Sequence, residues 1–503
     1  MCAKRQVILI MTDTQRPDMV GCYGNPAMRT PNLDALAAGG VRFDRAYTCQ
    51  PVCGPARSAL FTGTFPHSNG SWANCMPLGQ TVRTIGQRVA DAGIRTAYIG
   101  KWHLDGGDYF GLGRCPAGWD PADWYDMRNY LEELSPEERV RSRDPSTNRT
   151  NIPASFTFGH RCTNRARDFL ARHAADDFLL VISYDEPHHP FLCPEPFASM
   201  YRDFVFPKTG AYADTLADKP AHQRVWAGAR LEESAQTRRA HVIRSPDILG
   251  CNSFIDHEIG RVVEAIDRHA PGALVIYTSD HGDFMDHRGL NGKGPAMYDD
   301  ITRIPFIARW PGTTPAGSVC AHPVSHIDIV PTLLACYAIP PSRVLEGQNL
   351  APCFADPTVR INEAIFMEFS RYEIDHDYFG GFQPIRCIMD GRHKLVINLL
   401  AGDELYDLET DPDELTNCID SPAYASIRNR LHDRLLDWMG TTRDPFRGYY
   451  WCNRPWRLDA PAPTWDGAGH TRQREEDPRY EPRQLDYTTG LEMKRATRKI
   501  STS

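Results

Sequence analysis

Short, largely apolar runs punctuate the chain, each bounded by polar or turn-forming residues. They fall at 7–11, 95–100, 178–184, 273–278 and 304–309. Uninterrupted runs of this length suit strands of a sheet covered on both faces; a half-exposed strand would alternate apolar and polar positions. Helical patterns separate the runs. The clearest spans 247–268, where Ile248, Phe254, Ile255, Ile259, Val262, Val263 and Ile266 recur on one face. Strand–helix alternation predicts an α/β layered fold. In such sheets ligands bind beyond the carboxyl ends of the strands.

Those ends carry chemistry. Asp13 follows the first run, Lys101 and His103 the second, Asp185 and His188 the third, and Asp280 and His281 the fourth. Four strands delivering acid–base or metal-type residues to one edge predict a shared site. Two polar stretches, 130–152 and 206–245, read as surface insertions, and loops of that size in a compact domain are usually functional or mobile. Near residue 360 the pattern changes: strands are predicted at 385–398 and 404–408 and an amphipathic helix at 422–439. The expected organisation is a catalytic unit over 1–360, an α+β subdomain with an antiparallel sheet over 361–444, and a tail over 445–503. The tail's Arg447-Gly448-Tyr449-Tyr450-Trp451 run is too aromatic for a free end. It is expected to pack on the body or on a second subunit, which leaves a homo-oligomer open.

Composition narrows the classes. The 503 residues are 41% hydrophobic and 24% charged, which is ordinary for a globular enzyme. A formal net charge of -8 supplies no basic field for nucleic acid. The 15 cysteines are scattered and contain no Cys-x-x-Cys pair, so reduced thiols are expected rather than a disulfide scaffold or a zinc ribbon. The apolar run after Lys4-Arg5 is five residues long and ends at Thr12-Asp13. It reads as a buried strand rather than a leader, and no run approaches a membrane span. A cytoplasmic protein with no membrane partner is expected.

One segment gives these residues a common purpose. Cys53-Gly54-Pro55-Ala56-Arg57 continues as Ser58-Ala59-Leu60-Phe61-Thr62-Gly63, and Cys-x-Pro-x-Arg followed by Thr-Gly resembles the sulfatase signature. Further segments match that family. They include Asp13 to Asp18 with Gly21-Cys22-Tyr23-Gly24, Thr30-Pro31-Asn32-Leu33-Asp34, Gly100-Lys101-Trp102-His103 and Pro187-His188-His189-Pro190. Ser279-Asp280-His281-Gly282-Asp283, Lys293, Asp328-Ile329-Val330-Pro331-Thr332 and Leu405-Tyr406-Asp407-Leu408 complete the set. The resemblance runs from about residue 6 to 440. It implies an alkaline-phosphatase-like sandwich, with a large mixed, mostly parallel sheet between helices.

The resemblance also implies a mechanism. Cys53 would be oxidised to formylglycine by a formylglycine-generating enzyme. A thiolate would form a stable thiosulfate-type product and stall, whereas a hydrated aldehyde attacks with one hydroxyl and expels sulfate with the other. Arg57 would hold the diol oxygen. Asp13, Asp280, His281 and the modified Cys53 would bind one divalent cation, calcium first, with manganese or magnesium also compatible. Thr14 stands where many members have Asp or Gln; its neutral hydroxyl is the weakest candidate ligand. Lys101 and Lys293 would bind the sulfate oxygens, His188, with His189 as its competitor, would protonate the leaving alkoxide, and His103 would act on the diol. The expected substrate is a sulfate ester of a sugar or aryl alcohol. His281 in place of the commoner Asn occurs both in some uronate sulfatases and in phosphonate monoester hydrolases, which share the scaffold, so it does not settle the substrate. A third reading, a binding protein on a dead scaffold, fits poorly with so many catalytic positions filled.

Overall fold

The computed structural model describes residues 4–204, 209–231, 246–373 and 381–460. Eight strands build the main sheet: β1 (Gln6–Thr12), β2 (Val41–Phe43), β3 (Arg95–Gly100), β4 (Trp124–Tyr125), β5 (Phe178–Ser183), β6 (Leu274–Ser279), β7 (Phe306–Arg309) and β8 (Ser318–Cys320). Their spatial order is β8-β2-β7-β6-β1-β5-β3-β4. β7 runs antiparallel to both of its neighbours, and every other pairing is parallel. The expected mixed, mostly parallel sheet is therefore present.

β1 shows why the strands read as continuous apolar runs. Ile8 and Ile10 face a core shared with Leu33, Phe169, Ile259 and Val262. Val7, Leu9 and Met11 face the opposite core, with Leu60, Phe61, Leu333 and Leu334. Both faces are dry, so both positions of the two-residue period are apolar. A fully buried Ile or Leu contributes about 1.5–3 kcal/mol of transfer energy. The long helix predicted at 247–268 is Asp247–His269.

The run predicted as one strand at 304–309 is divided. Arg303–Ile304 joins a small three-stranded sheet, while Phe306–Arg309 enters the main one. Pro305 between them has no N–H to donate to a ladder. The stretch at 130–152 is not open loop: Met127–Glu132, Pro136–Arg141 and Pro145–Thr150 are short helical turns capped by Asp126, Ser135 and Asp144. Of the stretch at 206–245, residues 206–208 and 232–245 lie outside the described residues. Ala221–Ala227 is helical.

A second, antiparallel sheet follows: β9 (Ile365–Phe369), β10 (Ile385–Met389), β11 (His393–Asn398) and β12 (Glu404–Asp407), paired in that order. Gly391, with φ 97°, turns the chain between β10 and β11 inside the segment read as one strand. β9 has no counterpart in the predicted elements, because Glu368 interrupts its apolar run. The interruption is compensated in space, where Glu368 accepts a bond from the His67 backbone at 2.8 Å and pairs with the His67 ring. The helix Ala425–Thr441 covers this sheet.

The second sheet also supports the first. Val52 and Met297 pack with Met367, Phe369 and Ile385. Lys394 of β11 donates to Met297 O at 2.9 Å, to Asp299 at 2.6 Å and to Glu414 at 2.7 Å. Trp451 is 2% exposed and joins the core under the covering helix, whereas Tyr449 and Tyr450 are each 69% exposed. Residues 461–503 of the tail lie outside the described residues. Among the described residues no helix is long and apolar enough to cross a membrane.

Arg386 of β10 and Asp444 form a fully buried ion pair, with one contact at 3.0 Å. Removing one member strands the other charge, at about 3–5 kcal/mol. Asp444→Ala should lower stability by that amount in urea unfolding followed by tryptophan fluorescence. Arg430→Ala, which breaks an exposed pair with Asp390, should cost no more than about 1 kcal/mol.

Candidate active site

β6, β1, β5 and β3 are consecutive in the sheet. Their carboxyl ends therefore present Asp280 and His281, Asp13, Asp185 and His188, and Lys101 and His103 side by side. Gly100 makes the turn into Lys101 possible. Its φ is +127°, and a Cβ there would sit 1.9 Å from Ser183 O. Lys101 N then donates to that carbonyl at 2.8 Å. Thr14 (φ 65°) and His103 (φ 58°) hold left-handed backbone without glycine, a strain typical of functional turns.

Cys53 opens the helix Cys53–Thr62, all of whose residues are buried. Its Sγ lies 3.0 Å from Lys293 Nζ, 3.2 Å from His281 Nε2, 3.8 Å from Asp13 Oδ1 and 4.0 Å from Lys101 Nζ. The sulfur stands here for the oxygen that a modified residue would carry. Burial and the Asp13 carboxylate push the thiol up, but Lys101, Lys293 and His281 outweigh them and hold it well below the ordinary cysteine value. The pocket around residue 53 is thus built for negative charge.

Asp13, Cys53, Asp280 and His281 offer donor atoms that all lie within 4.8 Å of one another. His281 Nδ1 is 2.8 Å from Gly282 O; a carbonyl only accepts, so Nδ1 carries a proton and Nε2 is the nitrogen that would coordinate. Nε2 is 3.6 Å from both Asp13 Oδ1 and Asp280 Oδ1. Burial first, and then the nearby Asp13 charge, push Asp280 up to about 6, a tension that a cation between the two carboxylates would relieve. Two carboxylate oxygens and one imidazole suit a hard or borderline divalent cation, so the residues present fit the expected metal. Thr14 takes a different part: its hydroxyl donates to Asp13 Oδ1 at 2.6 Å and orients the ligand.

Arg57 also differs from expectation. Its Nε donates to Asp280 Oδ2 at 3.1 Å, Nη2 to Asp13 Oδ2 at 3.2 Å, and Nη1 to Lys101 O and Ser183 Oγ at 2.6 and 2.7 Å. The guanidinium is committed to the two carboxylates behind the nucleophile rather than to the atom at 53. Arg57 lies one helical turn beyond Cys53 and so on the same helix face, which brings its longer side chain to the same carboxylates.

Lys101 Nζ bridges Asp13 Oδ2 at 2.8 Å and Asp185 Oδ1 at 3.0 Å. His103 is buried; desolvation lowers its pKa more than its bond with Cys53 raises it, so the ring is neutral near pH 7. His188 is half-buried at the mouth, and His189 is exposed. Sequence reasoning missed Tyr109. Its hydroxyl donates to Asp185 Oδ1 at 2.5 Å, accepts from Lys101 Nζ at 3.0 Å and lies 2.9 Å from His188 Nδ1. Tyr109 sits in the glycine-rich stretch after His103, where no periodicity marks it out. Asn74 was missed for the same reason: its Oδ1 accepts from Gly54 N at 2.8 Å and steadies the first turn of the Cys53 helix.

With this geometry in view, the family model for Sulfatase matches residues 5–339. The model for the C-terminal part of N-sulphoglucosamine sulphohydrolase matches residues 288–440. The chain belongs to the sulfatase family and is a sulfuric ester hydrolase. It is 46% identical over 494 residues to the uncharacterized sulfatase YidJ of Escherichia coli K12, covering 96% of each chain. The fold matches a solved structure in complex with its substrate D-glucosamine-2-N,6-O-disulfate, at TM-score 0.71, 20% identity and coverage of 88% and 99%. It also matches the phosphonate monoester hydrolase of Agrobacterium radiobacter, at TM-score 0.69, 24% identity and coverage of 87% and 96%.

Groups that orient metal ligands from behind are worth about 10–100-fold in affinity. Arg57→Gln keeps a planar side chain but loses the charge and most of the donors. It should weaken divalent-metal binding by that factor in isothermal titration calorimetry. Unchanged affinity would reject the bridging role of Arg57.

Proposed function

We propose that this protein hydrolyses the sulfate ester of a sugar or aryl alcohol through a formylglycine made from Cys53 by a formylglycine-generating enzyme. The observation that carries the reading is the atom at 53. It lies at hydrogen-bond distance from Lys293 and His281 and within the four-residue donor cluster. Residues 1–360 would form the catalytic unit and 361–444 the subdomain that buttresses it.

Lys101 and Lys293 bind the sulfate oxygens, and both are buried, so their charge acts with little screening. A divalent cation, calcium first by resemblance, held by Asp13, Asp280, His281 and the residue at 53, would supply positive charge toward the ester and the hydrated aldehyde. One hydroxyl of the hydrated residue 53 attacks sulfur as the bond from sulfur to the alkoxide oxygen breaks, and its proton passes to the carboxylate it faces, Asp13 Oδ1. His188 gives a proton to the departing alkoxide from Nε2, since Nδ1 is turned toward Tyr109 and His189 O. His103, neutral and beside residue 53, then takes the proton of the second hydroxyl as the aldehyde re-forms and sulfate leaves. A phosphonate monoester or phosphodiester is the competing substrate class, kept open by an imidazole rather than an amide at 281. The same lysines would bind its oxygens. A panel of aryl sulfates and phenylphosphonate esters run with calcium, manganese and magnesium separates the two.

In active preparations the peptide carrying residue 53 should show the aldehyde mass, and Cys53→Ala should abolish turnover while leaving the circular-dichroism spectrum intact. Full activity from protein with only a thiol at 53 would defeat the mechanism. General acid catalysis contributes about 10²–10⁴-fold. His188→Ala should therefore lose that much on alkyl sulfates and less than about tenfold on 4-nitrophenyl sulfate, whose leaving group needs no proton. Equal losses on both would reject the role of His188.

A further inference from the structure

The mouth of the site carries a cation that the reaction as described does not use. Arg143 is half-buried, just beyond the helical turn Pro136–Arg141. Its guanidinium carbon lies 5.4 Å from the Tyr109 ring centroid and 5.1 Å from that of Phe110. The two rings stand at 88° to each other, so the guanidinium sits in the corner they form and is held by cation–π attraction from both. The turns on either side are capped: Ser142 donates to Arg139 O, and Asp144 accepts from Ser146 N. The backbone at 143 is thereby held.

Among the described residues the Arg143 guanidinium makes no ion pair. The nearby acids are otherwise engaged. Asp185 is taken by Lys101 and Tyr109. Asp105 caps Gly107 and Leu112, and Asp108 pairs with Arg128. Two imidazoles stand on the same side, His188 with its ring 5.3 Å from Tyr109, and His189, whose pKa is lowered by partial burial first and then by His188 and Arg143. Arg143 thus supplies a positive charge at this rim with no bonded counter-ion among the described residues. The position has a direction. Tyr109 joins Lys101 at its hydroxyl and Arg143 at its face, so Arg143 stands one six-membered ring away from a sulfate-binding lysine. It faces the loop that carries His188, where its charge acts on Asp185 and His189.

We propose that Arg143 forms a subsite for a second anionic group, a carboxylate or a further sulfate, carried by the alcohol part of the ester about one ring from the bond that breaks. The inference rests on the sulfatase reading above. It separates the expected substrate from sulfates of neutral or cationic alcohols. A planar guanidinium suits either oxyanion, since both accept two parallel N–H bonds.

The test is a charge series on a 4-nitrophenyl sulfate frame: unsubstituted, with a ring carboxylate, with a ring sulfonate standing for the second sulfate, and with a ring trimethylammonium. kcat/KM is measured for the wild type, Arg143→Gln and Arg143→Lys. The wild type should prefer the anionic members, and Arg143→Gln should reduce the anionic-to-unsubstituted ratio by about tenfold, the scale of one partly screened charge contact. Arg143→Lys should retain part of the ratio. The carboxylate and sulfonate arms show which oxyanion the subsite takes. A ratio unchanged within twofold in Arg143→Gln, or a wild-type preference for the cationic member, would overturn the inference. If turnover is found only with the matching phosphonate esters, the sulfatase reading fails; the same ratio on charged phosphonates still decides the role of Arg143.

Discussion

Asp13 and Asp280 are two carboxylates buried side by side, at zero solvent exposure, behind Cys53, whose thiol the surrounding cations hold well below its ordinary value. Like charges in a dry site repel strongly, and the rest of the centre is arranged around that repulsion. Arg57 spans the pair with separate arms, and its remaining donors reach Lys101 O and Ser183 Oγ. One guanidinium thereby ties β1, β3, β5 and β6 together at their carboxyl ends. Arg57 lies on the same helix as Cys53, so the bridge also fixes the nucleophile against the carboxylates. A lysine could not replace it, because an ammonium is a point charge without the planar fork.

The outer half of the site balances a second set of charges. Lys101 lies between Asp13 and Asp185, and Tyr109 closes the group by donating to Asp185 while receiving from Lys101. The hydroxyl has one proton to give. Donated to Asp185, it leaves the oxygen facing His188 Nδ1 as an acceptor, which directs the other imidazole nitrogen toward the mouth. The lysine's charge, the tyrosine's orientation and the tautomer of His188 form one connected arrangement rather than three separate assignments.

The second sheet is part of the same arrangement. Val52, which precedes Cys53, packs against Met367 and Ile385, and Lys394 holds Met297 and Asp299 from across the sheet boundary. Lys293 lies four residues before Met297 and reaches Cys53. The C-terminal sheet thus restrains both sides of the Cys53–Lys293 contact. A buried lysine with two carboxylates, Asp299 and Glu414, is a costly way to join two layers unless register matters; here the register sets where Lys293 points.

Much of this was legible in the chain itself. A strand covered on both faces must be apolar at every position, so β1, β3, β5 and β6 announced themselves, and the residues after them followed from the geometry of parallel sheets. Asp13, Lys101, His103, His188, Asp280 and His281 could be named because motif and strand end coincide, whereas Cys53 and Lys293 rested on motif alone. Periodicity could not reveal Tyr109 or Asn74, which sit in irregular segments whose side-chain directions only the folded chain defines. Nor could it give the bearing of Arg57, which depends on how its helix is rotated against the sheet. β9 escaped notice because its buried Glu368 reads as polar until His67, far away in sequence, is brought to meet it. Local order and residue chemistry were written along the chain, because they depend on spacing of a few residues. The pairing of buried charges was settled only by tertiary structure, because each partner comes from a different strand or loop and neither is tolerable in the interior without the other.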